Sequence, residues 1–142
     1  MKLSTRGEYS SRLMMELAIK YGKGPMLLKD ISKAQDISLK YLGQLIIPLK
    51  IADLIKSTRG SHGGYYLSRP PDIIKLLEII EATEGSLYIV ECIKNPEICY
   101  RSENCVAREI WEEASEKFIE IFNSITLKDM IDRQREKNNI RY

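Results

Sequence analysis

The three cysteines of this chain lie together in one short, polar segment. They are Cys92, Cys99 and Cys105, the only cysteines among 142 residues, and a long helical pattern follows them. Clustered thiolates in a turn-rich loop are typical of a soft-metal site, whereas cysteines that only fill a core would be scattered. Their spacing, C-x6-C-x5-C, is not the C-x2-C pair of a zinc ribbon. It leaves the room that an iron–sulfur cluster needs, so we expect a cluster rather than zinc.

Two further features of the sequence bear on this site. Cys105 stands at the start of the helical pattern, where the helix dipole stabilises a thiolate. The single histidine, His62, lies between glycines in a predicted hairpin loop, so we expect it to face solvent or DNA and not to bind metal. The alternative interpretation of the three cysteines is that they are ordinary free thiols.

Composition indicates a globular protein with enough residues for roughly one compact domain. Apolar residues make up 44% of the chain and charged residues 30%. Neither a signal peptide nor an apolar run near the ~20 residues of a membrane span is recognisable, which predicts a cytoplasmic protein with reduced thiols. No His/Asp pairing, phosphate loop or catalytic carboxylate pair stands out. We therefore expect no enzymatic activity and no small-molecule substrate.

The formal net charge of +2 conceals a basic first half and an acidic second half. Residues 1–69 carry 12 Lys/Arg against 5 Asp/Glu, a balance of +7, and residues 70–142 carry 10 against 15, a balance of −5. A basic half of this kind favours a polyanionic partner for the first half of the chain.

The first half also has the order of elements of a winged helix-turn-helix. Helical periodicity covers residues 4–21, 28–35 and 39–51. Ser38 precedes the third helix as a predicted N-cap. Two β-type runs, 54–58 and 65–68, flank a loop with glycines at both ends, which permit the positive φ of a tight hairpin. The predicted fold is therefore mainly α, with a small β-hairpin wing and a long C-terminal dimerisation helix.

The second half begins at Pro70-Pro71, which we take as a boundary. A fourth helix is predicted from Ile73 to Gly85, and Thr126 with Asp129 resembles a capping box for a short last helix that a polar tail follows. The predicted division is a winged helix-turn-helix DNA-binding domain at 1–69, a linking helix and extended segment at 70–91, a cluster-binding loop at 92–105, and a dimerisation helix, short helix and polar tail at 106–142.

The start of a recognition helix is where such folds contact base edges in the major groove. Here Gln44 can pair with adenine, and Lys40 can reach a guanine or a phosphate. Arg59, at the root of the wing, suits a narrow minor groove. The alternative is a protein-interaction module. The residues expected to contact DNA are Lys2, Ser38, Lys40, Tyr41, Gln44, Arg59, Ser61, His62 and Gly63.

The long helix after the cysteines carries an apolar stripe opposite a face rich in glutamate. A stripe this long suits pairing with a second copy, and two half-sites on DNA need a twofold dimer. We therefore expect a homodimer. The stripe consists of Val106, Ile110, Ala114, Phe118, Ile121 and Ile125.

These motifs, in this order, resemble the bacterial winged-helix regulators of the IscR, NsrR and CymR type. The resemblance covers nearly the whole chain and is carried by Lys2–Tyr9, Ser38–Leu42, Arg59–Tyr65 and Ile125–Leu127, together with the three cysteines. It implies a homodimeric transcription factor, usually a repressor. In cysteine-bearing members it implies a 2Fe–2S or 4Fe–4S cluster that alters operator binding, and we favour 2Fe–2S.

The fourth ligand of such a cluster differs among these relatives. Regulators of the cluster-assembly type carry a histidine three residues after the third cysteine, where this chain has Arg108, which cannot ligate iron. Others use an acidic residue in the first helix of the partner subunit, and Glu8 matches that position. Glu97, Glu103 or a small molecule are the alternatives. Gly43 is a second departure, because relatives often have an acidic or larger residue there.

The sequence is also compatible with two other functions. One is a winged-helix regulator without a cluster, which responds through bare thiols or a partner protein. The other is a metal- or thiol-carrying redox protein that does not bind DNA, although such a protein would need neither the wing glycines nor Arg59.

Overall fold

Three helices and a turn form the N-terminal part of the computed structural model, which describes residues 2–140. The helices are α1 (Thr5–Ile19), α2 (Leu28–Gln35) and α3 (Leu39–Ile51). Asp36 ends α2 in the left-handed conformation, with a φ of 53°, so that α3 begins three residues later. The Ser38 hydroxyl accepts a hydrogen bond from the Tyr41 N–H at 3.1 Å, which confirms the predicted N-cap.

The two strands form an antiparallel hairpin, which is the wing. Strand β1 (Ile55–Thr58) pairs with β2 (Gly64–Leu67). The wing is also joined to the α1–α2 connection, because Met26 and Tyr65 exchange two backbone hydrogen bonds of 2.8 Å each. A side chain at Gly64, whose φ is 149°, would collide with the Met26 carbonyl. Glycine at this position therefore allows both the hairpin and its link to the helices.

Three helices follow the wing, and their bounds differ from the sequence prediction. They are α4 (Leu76–Glu84), α5 (Val106–Ser124) and α6 (Leu127–Ile140). The prediction that Ile73 belongs to the fourth helix is wrong. Ile73 lies in a 3-10 turn, Pro71–Ile73, and is exposed, while its neighbour Ile74 is fully buried.

The end of the chain differs as well. Ile125 is predicted to extend the stripe of the long helix, but it lies beyond α5, where its carbonyl accepts a hydrogen bond from the Leu76 N–H at 2.9 Å. The predicted capping box is confirmed, because Thr126 and Asp129 bond reciprocally. The Thr126 N–H also lowers the pKa of Asp129. The last helix is longer than expected and includes most of the predicted polar tail. Residues 141 and 142 lie outside the described residues.

One apolar core runs through both halves of the chain. It joins Leu13 and Leu17 of α1 and Leu45 of α3 to Ile79 of α4 and Leu127 of α6. The predicted boundary at Pro70-Pro71 is thus a turn in the chain across which the core continues. Among residues 2–140, no helix has the length and apolar character that crossing a membrane would require.

Candidate DNA-binding surface and cysteine loop

Helix α3 divides cleanly into a buried face and an open face. Leu42, Leu45 and Leu49 are buried in the core. On the opposite side, Lys40 and Gln44 are exposed, and so is Ser38 at the cap. Their side chains are therefore free to meet a partner surface, as a recognition helix requires.

Tyr41 lies between these two faces and packs against α1. Its ring meets the Tyr9 ring edge-on, with centroids 5.7 Å apart. The Arg12 guanidinium lies over the Tyr9 ring, 5.2 Å from its centroid. Only part of Tyr41 is exposed, so its contact with α1 limits how it could contact DNA. No local pattern in the sequence predicts this pair, because its members are distant along the chain.

The wing presents most of its expected residues to solvent. Arg59, Ser61 and His62 are exposed in the loop between β1 and β2. Gly63 is half-buried, and a Cβ there would lie 2.5 Å from the Thr58 carbonyl oxygen. Gly63 is therefore required for the close turn of the loop.

Lys2, which is also expected to contact DNA, lies just before α1. It is exposed at the start of the chain and lines a hollow of about 180 Å³ together with Leu3, Glu84 and residues 86–89. The structure thus places Lys2 beside the segment that leads into the cysteine loop.

The cysteine loop is built from three consecutive 3-10 turns. Cys92 lies within the first turn, Glu91–Ile93, and Cys99 directly follows the second, Pro96–Ile98. Cys105 follows the third and caps α5, since its sulfur accepts a hydrogen bond from the Arg108 N–H at 3.4 Å. The buried Ser102 hydroxyl donates to the Pro96 carbonyl at 2.8 Å and fastens the second turn to the third.

Arg108 joins the two ends of this loop. Its Nε donates to the Cys92 carbonyl at 3.0 Å and its Nη2 to the Ile93 carbonyl at 3.4 Å. Arg108 is thus turned toward the loop backbone. Sequence reasoning excluded Arg108 as a ligand and did not foresee this bracing contact, which spans fifteen or sixteen residues.

The donor types of the loop suit an iron–sulfur cluster, but the described residues do not form a closed site. All three thiols are free, Cys99 is exposed, and Cys92 and Cys105 are half-buried. Among residues 2–140, no three His, Cys, Asp or Glu side chains lie close enough together to hold one metal ion. Glu8 is exposed on α1. A cluster would therefore require the loop to draw its thiols together and to recruit a further ligand.

Helix α5 leaves most of its apolar stripe uncovered within the chain. Val106 is 67% exposed, Ile110 51%, Phe118 40% and Ile121 55%. Ser115 is the one fully buried residue of the helix, and its hydroxyl accepts a hydrogen bond from the Ile89 N–H at 2.9 Å. Helix α5 is thus fixed to the chain along one side and offers an apolar face on another.

Comparisons with known proteins agree with this architecture. The chain is 40% identical to the HTH-type transcriptional regulator CymR of Bacillus subtilis (strain 168) over 130 residues, which cover 92% of this chain and 89% of that protein. It is 35% identical to the HTH-type transcriptional regulator IscR of Erwinia tasmaniensis over 134 residues, covering 94% and 81%. The solved structure of T. potens IscR superposes with a TM-score of 0.79 at 39% identity and covers 96% of this chain and 90% of that one.

The predicted fold class is confirmed by these likenesses, and so is the absence of an enzymatic role, because the relatives are named as transcriptional regulators. The protein is a DNA-binding transcriptional regulator with a winged helix-turn-helix. The family model described as "Rrf2: Iron-dependent Transcriptional regulator" matches residues 3–133, so the chain belongs to the Rrf2 family.

Proposed function

We propose that this chain is a homodimeric, cytoplasmic transcriptional repressor whose operator affinity changes when the cysteine loop holds an iron–sulfur cluster. The observation that carries the proposal is the cysteine loop itself: it holds three free thiols, one in or directly after each of the three 3-10 turns that precede α5. Helix α5 would form the twofold contact, and α3 with the wing would read each half-site.

Base reading is assigned to the open face of α3. Gln44 would form two hydrogen bonds with an adenine, and Lys40 would contact a guanine or a phosphate. Arg59 would enter the minor groove from the wing. Ser38, Ser61 and His62 would contact the backbone, which fixes the register without carrying sequence information.

Replacing Gln44 by Ala should weaken operator binding by about 1–3 kcal/mol and relax the preference at one base pair, because a bidentate contact would be lost. The measurement is a binding titration against an operator selected from random duplexes and against single-base variants of it. The matched control is Lys29→Ala on α2, which removes an exposed side chain that we do not place on the reading face. Unchanged base preference in the Gln44 variant would locate base reading elsewhere.

Cys92, Cys99 and Cys105 would hold the cluster, with 2Fe–2S favoured over 4Fe–4S. When bound, the cluster supplies a redox-active, ligand-exchangeable centre whose state can alter the loop. Arg108 of α5 would hold the loop through the Cys92 and Ile93 carbonyls. These bonds do not occupy the side-chain sulfur atoms, which could therefore bind iron. Because three thiols leave one iron a ligand short, we assign the fourth position to Glu8 of the partner subunit.

Replacing Glu8 by Ala should destabilise the cluster, whereas Glu8→Cys should retain it, because a thiolate is the softer ligand for iron. The measurement is the visible spectrum and the decay of the cluster in anaerobic protein. The matched control is Glu16→Ala, which removes another glutamate further along the same helix. A Glu8→Ala spectrum and decay rate equal to those of the wild type would assign the fourth ligand to Glu97, Glu103 or a small molecule instead.

A second candidate is a regulator that responds through its thiols without a cluster. The exposure of Cys99 favours it, because an accessible thiol can react directly with an oxidant. Iron and acid-labile sulfide in anaerobically purified protein separate the two candidates, since the thiol mechanism needs neither.

A further inference from the structure

We propose that Glu84, the last residue of α4, is a positioning residue that connects the segment leading to the cysteine loop with the recognition helix. It does so by capping helix α1 from outside that helix. The role of this connection in regulation rests on the proposed function. The hydrogen bonds of Glu84 themselves do not depend on a bound cluster.

One carboxylate oxygen of Glu84 receives three hydrogen bonds from the start of α1. The Ser4 N–H and the Gly7 N–H each donate to Oε1 at 3.0 Å, and the Ser4 hydroxyl donates to the same oxygen. The first turn of a helix leaves its N–H groups without partners inside the helix, and an acidic group there is favoured by the helix dipole. Glu84 is therefore a cap supplied to α1 across 77 to 80 positions of sequence.

Helix α1 has a glycine, Gly7, at the point where the Glu84 carboxylate approaches it. Gly7 is buried, and a Cβ at that position would lie 2.8 Å from the Glu84 carboxylate oxygen. Glycine costs a helix interior stability relative to alanine. Glycine in the first turn of α1 leaves room for the Glu84 carboxylate, which would have to shift to accommodate a Cβ.

On one side, Glu84 is connected to the cysteine loop through a short, anchored segment. Gly85 ends α4 with a φ of 83°. Leu87 is buried, and the Ile89 N–H donates to Ser115 of α5 at 2.9 Å. Cys92 follows three residues later. The chain between Glu84 and Cys92 is therefore short, and Leu87 and Ile89 hold it against the rest of the protein.

On the other side, α1 contacts both helices of the helix-turn-helix through Tyr9 and Arg12. Tyr9, two residues after Gly7, meets Tyr41 in the first turn of α3. Arg12 donates from Nε to the Gln35 side-chain oxygen at 2.9 Å and also bonds the Gln35 carbonyl, at the end of α2. The start of α1 thus has Glu84 on one side and the recognition helix on the other.

Amide hydrogen exchange of the cluster-free, DNA-free protein tests this connection. In Glu84→Ala, the Ser4 and Gly7 amides should exchange about tenfold faster, because they lose their acceptor. Exchange at residues 39–44 should accelerate to a similar extent, because a loosened α1 no longer holds Tyr41 through Tyr9. Glu84→Gln keeps an acceptor and should fall between wild type and Glu84→Ala. The matched control, Glu81→Ala, removes an exposed carboxylate one turn earlier on α4 and should resemble the wild type.

Gly7→Ala perturbs the same contact from the opposite side. Alanine favours a helix over glycine, so exchange in α1 should slow if the Glu84 contact is unimportant. We expect it instead to accelerate in α1 and at residues 39–44. Gly7→Ala combined with Glu84→Ala should add little to either single change, as expected for one shared contact.

Operator titrations with the same variants complete the test. Glu84→Ala should weaken binding about tenfold, whereas Glu81→Ala should not. Unchanged exchange at residues 39–44 in both Glu84→Ala and Gly7→Ala would overturn the inference even if operator binding and the cluster are both found. Protein that lacks iron and sulfide would instead contradict the proposed cluster, and the exchange rates alone would then decide whether Glu84 positions the recognition helix.

Discussion

Replacing both Ile110 and Phe118 by Glu should yield monomers that bind the operator at least about 100-fold more weakly than the wild type. The reason is that both side chains lie on the uncovered face of α5, with 51% and 40% of their surface exposed in the single chain. Burying four carboxylates at a twofold contact would be prohibitive without partners. Once the subunits separate, the two half-sites are no longer held together and the gain from linked binding is lost.

Sedimentation equilibrium and operator titration measure this effect. The matched control is Ile73→Glu, which places the same charge on another exposed apolar residue, 51% exposed and outside α5. That variant should remain a dimer with near-normal affinity. A double variant on α5 that still sediments as a dimer would assign the twofold contact to another surface, and monomers with full affinity would contradict the need for two linked half-sites.

Replacing any one of Cys92, Cys99 and Cys105 by Ala should abolish or destabilise the visible absorbance of anaerobic protein, and the triple variant should hold no cluster. The fold should survive, because the loop is fixed by Ser102 and Arg108 through contacts with backbone carbonyls. For the exposed Cys99, the free energy of unfolding should change by no more than about 0.5 kcal/mol.

Spectra, iron and acid-labile sulfide, and denaturant unfolding of each variant give the result. Replacing Asn104, an exposed neighbour of Cys105, by Ala serves as the control for a change in the loop without loss of a thiol. A triple variant with the wild-type spectrum, or zinc as the only metal in anaerobic preparations, would rule out the cluster.

Local signals in the sequence were enough to predict the helix-turn-helix and the wing. Ser38 caps α3 because its hydroxyl meets an unpaired N–H of the next turn, and the Thr126–Asp129 box works in the same way. Local signals do not predict how distant parts of the chain pack together. Ile73 has the right spacing for α4, yet two prolines and a 3-10 turn place Ile74 in the core instead.

In the candidate site, too, the residue types could be predicted from the sequence, but their contacts with distant residues could not. The thiols of the loop and the exposure of Lys40, Gln44 and Arg59 follow from residue type and local pattern. The bracing contact of Arg108 and the cap from Glu84 depend on elements that meet only in the folded chain. No period or motif within a single element encodes such contacts.

The most direct measurement is operator affinity of anaerobically prepared protein before and after its cluster is removed, with the triple cysteine variant alongside. The two wild-type states should differ by about tenfold or more, in keeping with the usual size of coupling between two sites. The triple variant should bind like the cluster-free wild type and should not respond to the same treatment. Equal affinities in the two wild-type states, or an equal response from the triple variant, would contradict control of DNA binding by a cluster in the cysteine loop.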